Sequence, residues 1–378
     1  MSDTNTKISS GLEGIVACST RLSDVDGNAG RLIFSGFNAV DLAKSKTVEE
    51  VWFLFHEGRL PTAEEAAAFK SKIEQLGAPS KAEIRLMKRL RKGEPLSAFR
   101  TIISAIAAAR GYKPWLNRDL PAVENEILAL SALAPTIVEV IYTGKSPVKK
   151  TGNCGYAERY LWGVLGRKPD AGALRATETY LILTMDHGLN ASTFAARVAA
   201  STGADLGAVL SAAVATLSGP LHGGAPGPVL DMLDSIADAS RVNDWVAEQL
   251  KAKRRIMGFG HRVYRTDDPR ALALRSVAQQ QNGPRIELAC AVEKQVLAVL
   301  AEHQEQKAKA EGKAVRPLRV NVEFWTAVVL EHAGIPRELF SSTFATSRII
   351  GWGEHVREQV KDNKLFRPLS LYTGPAVV

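Results

Sequence analysis

Three features of the 378-residue chain predict an all-α fold of two helical domains with a small N-terminal β-ribbon. From about Val48 onward, apolar residues recur three and four apart in Ala- and Leu-rich stretches such as Glu64 to Leu76, Ala122 to Tyr142 and Leu174 to Thr202. Period-two alternation is scarce and confined to the start of the chain. The length suits roughly two domains of about 100–200 residues each, which offers a cleft between them.

The ribbon is expected first: Gly14 to Cys18 and Arg31 to Phe34 flank Asp26-Gly27, a dipeptide suited to a tight hairpin turn. Pro61-Thr62, Pro114 and Lys145-Ser146-Pro147 read as breaks between helices. The run from His303 to Pro317, HQEQKAKAEGKAVRP, reads as a charged helix end and an exposed, solvated loop. Composition shifts near Ser218-Gly219-Pro220 and again around Gly334-Ile335-Pro336. A large domain of residues 1–219 and 331–378, with a small domain of residues 220–330 inserted, is expected.

With 46% hydrophobic and 23% charged residues, the composition is that of a globular protein and excludes disorder and collagen. Cys18, Cys154 and Cys290 are far apart, odd in number and without CxxC spacing, so neither a disulfide framework nor a metal site is expected. The N-terminus MSDTNTKISS has no apolar core of a signal peptide, and no uninterrupted apolar run approaches the ~18–20 residues that span a bilayer. A soluble cytoplasmic protein with no membrane partner is expected. Lys and Arg total 48 against 40 Asp and Glu, a surplus of +8 that suits nucleic acid, anionic small molecules or solubility alone. No zinc-finger, RRM or basic-helix pattern accompanies it, so no nucleic-acid partner is expected.

Four constellations carry possible chemistry. In Gly219-Pro220-Leu221-His222-Gly223-Gly224-Ala225 a histidine sits between a proline break and two glycines, ahead of an apolar helical run. A helix start there would keep the imidazole neutral and able to donate a hydrogen bond to a carbonyl; a turn histidine that caps the helix is the alternative. The second runs from Gly258-Phe259-Gly260-His261 to Arg270, with Lys253, Arg254 and Arg255 upstream. Its GxG lacks the third glycine and the preceding strand of a dinucleotide loop. Arginine matches a carboxylate through two parallel hydrogen bonds, so the run is either an anion site or a solvated face. The third, Asp186 to Phe194, embeds polar residues, His187 among them, in an apolar helical region, which calls for an internal network or a ligand. The fourth is Glu323 in Asn321-Val322-Glu323-Phe324-Trp325, where apolar neighbours would raise the proton affinity of a general base unless the residue simply faces solvent. Arg348, on a helix that reads as buried, and Arg367 in Leu365-Phe366-Arg367-Pro368-Leu369 want carboxylate partners from another side chain or a substrate.

In this order, GPLHGGA, MGFGHRVYRTDDPRA and SRIIGWGEHVREQ resemble the citrate synthase family, and the likeness runs from Gly11-Leu12-Glu13-Gly14 nearly to Tyr372-Thr373-Gly374. The resemblance implies a two-domain helical dimer whose cleft closes on substrate. It implies condensation of acetyl-CoA with oxaloacetate and water to citrate and CoA, with no metal or bound cofactor. His222, His261 and Glu323 match the catalytic set, and His187, Arg270, Arg348 and Arg367 match the oxaloacetate or citrate ligands, the last reaching across from the other subunit. Lys253, Arg255, Ile256, Met257, Gly258 and Gly260 are CoA-binding candidates.

The chain departs from the family at four points: Glu323 replaces aspartate, Gly188 an acidic residue, Pro226 an asparagine and Val320 a proline. Two rival readings accompany these departures. One is 2-methylcitrate synthase acting on propionyl-CoA, which a single methylene distinguishes by only ~1–3 kcal/mol. The other is a non-catalytic member that binds dicarboxylate or CoA.

Overall fold

The structure, a computed structural model, describes residues 8–150, 152–222, 227–261, 263–312 and 317–375. Gly223, Gly224, Ala225, Pro226 and Arg262 of the motifs above lie outside the described residues.

The ribbon has three strands, and its first is not where the sequence placed it. β1 (Ser23–Asp26) pairs antiparallel with β2 (Arg31–Phe34), and β2 pairs with β3 (Phe37–Asn38). The stretch from Gly14 to Cys18 is not a strand; Ile15 and Val16 are exposed, Val16 at 90%. The less apolar SDVD pairs instead because the turn opposite Arg31 begins at Asp26, whose carboxylate accepts from the N–H groups of Asn28 and Ala29.

The helices follow. α1 (Ala39–Ser45), α2 (Val48–Glu57), α3 (Ala63–Leu76), α4 (Lys81–Leu90) and α5 (Pro95–Ala109) lead to the long α6 (Leu120–Thr143). Thr47, Thr62 and Ser80 open α2, α3 and α4 with reciprocal capping boxes to Glu50, Glu65 and Glu83, each cap contributing ~1 kcal/mol. α6 is long and apolar enough to cross a membrane, yet it is mostly buried against its neighbours, so it is the core helix on which the others pack. Next come α7 (Tyr156–Leu165), α8 (Ala171–Thr184), α9 (Ala191–Ser201) and α10 (Leu206–Leu217). The stretch read as one helical run from Leu174 to Thr202 is thus broken between α8 and α9.

α11 (Gly227–Ile236), α12 (Val242–Lys251), α13 (Pro269–Gln281), α14 (Pro284–Glu311) and α15 (Val322–His332) pack on one another, and α13 and α15 also rest on α8. α14 continues through most of the charged run, ending where Gly312 turns left-handed at φ 64°. α16 (Phe340–Lys361) then returns to pack on α6, α8 and α9. Its Gly351 lies so close to the break after α8 that an added methyl would overlap the Met185 carbonyl oxygen and come within 3.1 Å of Asp186. Gly351→Ala is therefore expected to lower stability by about 1–3 kcal/mol, read as a fall in the urea midpoint at constant slope.

Candidate active site

Three chain breaks meet where α13 and α15 rest on α8. The first is the α8–α9 loop. Asn190 caps α9 by accepting from Thr193 N–H, and Gly188 turns the chain at φ 60°, a left-handed conformation that suits glycine and would strain the acidic residue familiar from the related pattern. Buried Asp186 and Ser23 of β1 hydrogen-bond each other, and Gly188 N–H donates to both. His355 Nε2 of α16 lies 3.2 Å from Asp186 Oδ1. The polar cluster read from Asp186 to Phe194 is thus an internal network, and it holds His187 at its tip.

The second break leads into α13. Asp268 caps the helix and grips Arg270 through Nε (3.0 Å) and Nη2 (2.8 Å), with both residues buried. Burial opposes the guanidinium charge, but Asp268 outweighs it and raises the Arg270 pKa. Arg270 Nη2 lies 3.3 Å from His261 Nε2, and the His261 and His187 rings are 5.9 Å apart. Tyr264, which sequence reasoning gave no role, places its hydroxyl 3.2 Å from His187 Nε2 and its ring 4.8 Å from that of His261.

The third break opens α15. Phe259 and Val320 form an isolated antiparallel bridge, closed by Gly260 N–H to the Arg319 carbonyl (2.7 Å) and Asn321 N–H to the Gly258 carbonyl (2.9 Å). Those bonds do not use the N–H of Val320, so valine in place of the related proline leaves the pairing intact. Asn321 caps α15 through Glu323 N–H and reaches back to the Gly260 carbonyl (3.0 Å), while Asp268 accepts from Val322 N–H (3.2 Å). Asp268 therefore ties the arginine of one helix to the start of the helix that carries Glu323, a second role that only the fold reveals. Burial raises the Glu323 pKa, opposed by Arg255 and then Arg270. It does so although the start of a helix favours negative charge.

His222 approaches from the side of α9. Its Nε2 accepts from Ser192 N–H (3.2 Å) and lies 2.7 Å from Ser192 Oγ, which in turn accepts from Trp352 Nε1 (3.1 Å). Its pKa falls to about 4, first through burial and then through Arg348. His261 is likewise lowered to about 4 by burial and then Arg270. His187 is pushed well below the usual range by burial, then Arg270 and Arg348.

Backbone donors set opposite tautomers in two of these rings. His222 Nε2 accepts from a backbone N–H, so its neutral ring carries the proton on Nδ1. His261 Nδ1 faces two backbone donors, Val263 N–H and Tyr264 N–H, both at 3.0 Å, which outweigh the single, longer approach of Arg270 Nη2 to Nε2 (3.3 Å) and place the proton on Nε2. Each ring thus keeps one N–H to donate.

Arg348 is 2% exposed on α16. Its Nε donates to the Thr184 carbonyl (2.7 Å), and its guanidinium lies 4.6 Å from the Phe344 ring centre. Among the described residues, no hydrogen bond to a protein acceptor engages its terminal nitrogens. Burial lowers its pKa to about 10. Arg367 lies apart from this group, exposed in the segment after α16.

A cavity of about 720 Å³ extends from His261, Tyr264 and Asp268 toward a rim of Arg254, Arg255, Arg265 and Arg319. Arg255, Ile256 and Gly260 of the CoA-binding candidates line it; Lys253, Met257 and Gly258 do not, nor do His187, His222 and Glu323.

The family model for the citrate synthase C-terminal domain matches residues 11–369. The chain belongs to the citrate synthase family. It is 36% identical to the citrate synthase of Synechocystis sp., over 96% of this chain and 90% of the relative. It is 33% identical to that of Haloferax volcanii, over 96% and 95% respectively. Among solved structures, the citrate synthase of Pyrobaculum aerophilum superposes with a TM-score of 0.86 at 32% identity, covering 100% of this chain and 95% of that one. The citrate synthase of Thermoplasma acidophilum, solved as a ternary complex with carboxymethyl coenzyme A and oxaloacetate, gives 0.85 at 30% identity, covering 98% and 97%. The all-α fold expected from helical periodicity is that of the citrate synthases.

The depressed histidines make a signed prediction. Between pH 6.5 and about 4 the unfolded chain binds protons that His187, His222 and His261 refuse in the folded state. The share of stability these histidines carry rises with pH through that window and is lost on acidification, opposed by Glu178, whose pKa burial raises to about 7, and by Glu49, Glu293 and Glu323, also raised by burial. Urea midpoints measured at pH 7, 6 and 5 in wild type and in His261→Asn isolate that share: the wild-type midpoint should fall relative to the variant's as pH is lowered.

Proposed function

We propose that this chain is a citrate synthase, condensing acetyl-CoA with oxaloacetate and water to give citrate and CoA as a step of the tricarboxylic acid cycle. The observation that carries the mechanistic reading is the pair of neutral imidazoles with opposite donor nitrogens, beside buried arginines and a carboxyl of raised pKa. A thioester methyl is a poor acid, so its proton leaves only as charge on the carbonyl oxygen is stabilised. Glu323 takes the methyl proton while His222 Nδ1–H donates to the thioester oxygen, and the C–H electron pair becomes the C=C bond of the enol. The enol carbon attacks the ketone carbon of oxaloacetate, and the ketone oxygen takes the proton from His261 Nε2. Water oxygen then bonds to the acyl carbon of citryl-CoA as the C–S bond breaks; one water proton goes to sulfur, so that CoA leaves as the thiol, the other restores His261, and Glu323 releases to solvent the proton it took.

Arg270 and Arg348 hold the oxaloacetate carboxylates, with His187 beside them. The arginine-rimmed cavity suits the phosphates of CoA, with Arg255, Ile256 and Gly260 along its wall. Acetyl-CoA enters as a substrate, and no metal or bound cofactor takes part. In a homodimer, exposed Arg367 would serve the pocket of the second copy.

Steady-state assay of the purified protein with acetyl-CoA and propionyl-CoA tests this. Thiol release dependent on oxaloacetate, with the higher kcat/KM for acetyl-CoA, is expected. A higher value for propionyl-CoA would make it a 2-methylcitrate synthase, and no release with either donor would leave only a binding protein.

A further inference from the structure

The two loops that present His187 and His261 touch each other directly through the Tyr264 hydroxyl and the neighbouring rings, yet both also lean on the same hairpin. At one end of β1, Ser23 Oγ donates to Asp186 and accepts from Gly188 N–H (3.0 Å), and Val25 Cγ2 lies 3.5 Å from where a Gly188 side chain would begin. At the other end, the Gly27 carbonyl accepts from Arg265 N–H (2.8 Å) in the His261 loop. A methyl on Gly27 would overlap the Val263 carbonyl oxygen. One on Gly30, at φ 63°, would lie 2.5 Å from Thr266 Oγ1. Glycines at both corners of the turn thus let the hairpin tip seat directly on the backbone of the His261 loop. The hairpin is itself stiff, because Leu32 and Phe34 of β2 are fully buried and Phe34 packs edge-on against Phe55 at 5.0 Å.

We propose that the β1–β2 hairpin is a positioning element that registers the His187 loop against the His261 loop, with Ser23 and Gly27 as its two contact points. None of its residues is placed in contact with substrate. It acts through the histidines by fixing the separation of two loops that come from different helix groups, α8–α9 on one side and α12–α13 on the other. Without it, oxaloacetate would have to order the loops on binding, so affinity would fall. Once bound, oxaloacetate itself bridges the two sides, so the saturated rate would change little.

The functional part of this proposal rests on the citrate synthase reading; the mechanical part does not, and the test separates them. In substrate-free protein, Ser23→Ala should accelerate hydrogen exchange of the Val263–Thr266 backbone, at the far end of the hairpin, by roughly fivefold, the equivalent of one lost hydrogen bond. Ser23→Thr, which keeps the hydroxyl, should restore it. Gly27→Ala should raise the KM for oxaloacetate by about 10-fold or more while kcat stays within about threefold. Wild-type exchange in Ser23→Ala would overturn the proposal whether or not the protein turns over acetyl-CoA. An equal loss of kcat and kcat/KM in Gly27→Ala would overturn its division between binding and turnover. A wild type without oxaloacetate-dependent thiol release would refute the functional reading alone and leave the exchange result to decide the hairpin.

Discussion

Glu323→Gln is expected to lower kcat by roughly 10²–10⁴-fold, the range for loss of a positioned general base, while oxaloacetate binding stays within about threefold of wild type. Glutamine fills the same space at the start of α15, and the Glu323 side chain supports no described hydrogen bond of the helix cap, which depends on Asn321 and Asp268. Turnover and direct oxaloacetate binding, measured on one preparation, check both halves. Near-normal kcat would show that the base lies elsewhere. Glu323→Asp is the sharper variant. The start of α15 is tied to α13 through Asp268 and to the His261 loop through Asn321, so the backbone cannot simply follow a shorter side chain. Withdrawing the carboxylate by about 1.5 Å, one carbon–carbon bond, should cost on the order of 10²-fold in kcat even though aspartate is the family's usual residue.

Arg348→Met is expected to raise the KM for oxaloacetate by about 30-fold or more, the 2–5 kcal/mol scale of removing one partner from a buried charge pair. The same change should leave the fold as stable as wild type or more so. Burial already lowers the Arg348 pKa to about 10, so the free protein bears a cost for keeping it charged, and methionine fills the space without that cost. The Thr184 carbonyl loses one donor, which limits the gain. Isothermal titration with oxaloacetate and a urea melt give the two signs. If affinity and stability fell together in proportion, the arginine would be structural rather than a ligand of the substrate.

Much of this was legible in the sequence because the relevant patterns are local. Helical periodicity located α3 and α6 to within a few residues, and Thr62 after Pro61 marked the start of α3. The histidine-bearing glycine turns, the arginine nine residues after His261 and the carboxylate after Asn321 stood out for the same reason. What stayed hidden depends on contacts between distant segments. The apolar pattern from Leu174 to Thr202 is continuous, so the break that presents His187 is visible only from the partners Asp186 finds in Ser23 and His355. Gly14 to Cys18 is more apolar than Ser23 to Asp26, yet pairing went to the segment that the turn brings opposite β2. Asp268 lay inside a quoted motif with no role assigned, because its second partner, Val322 N–H, belongs to another helix. The low proton affinity of His222 comes from burial and from Arg348, a neighbour that belongs to a distant helix.

The opposite tautomers of His222 and His261 bear on how such a pocket tolerates change. The proton inventory of each ring is fixed by peptide N–H groups, which carry no charge to titrate and which no substitution short of proline removes. Side chains around the cleft can drift, as Glu323, Gly188 and Val320 have, while the chain path goes on dictating which nitrogen of each imidazole holds its hydrogen. Acid–base polarity here is an inheritance of the backbone, and remodelling the acyl-group preference need not disturb it.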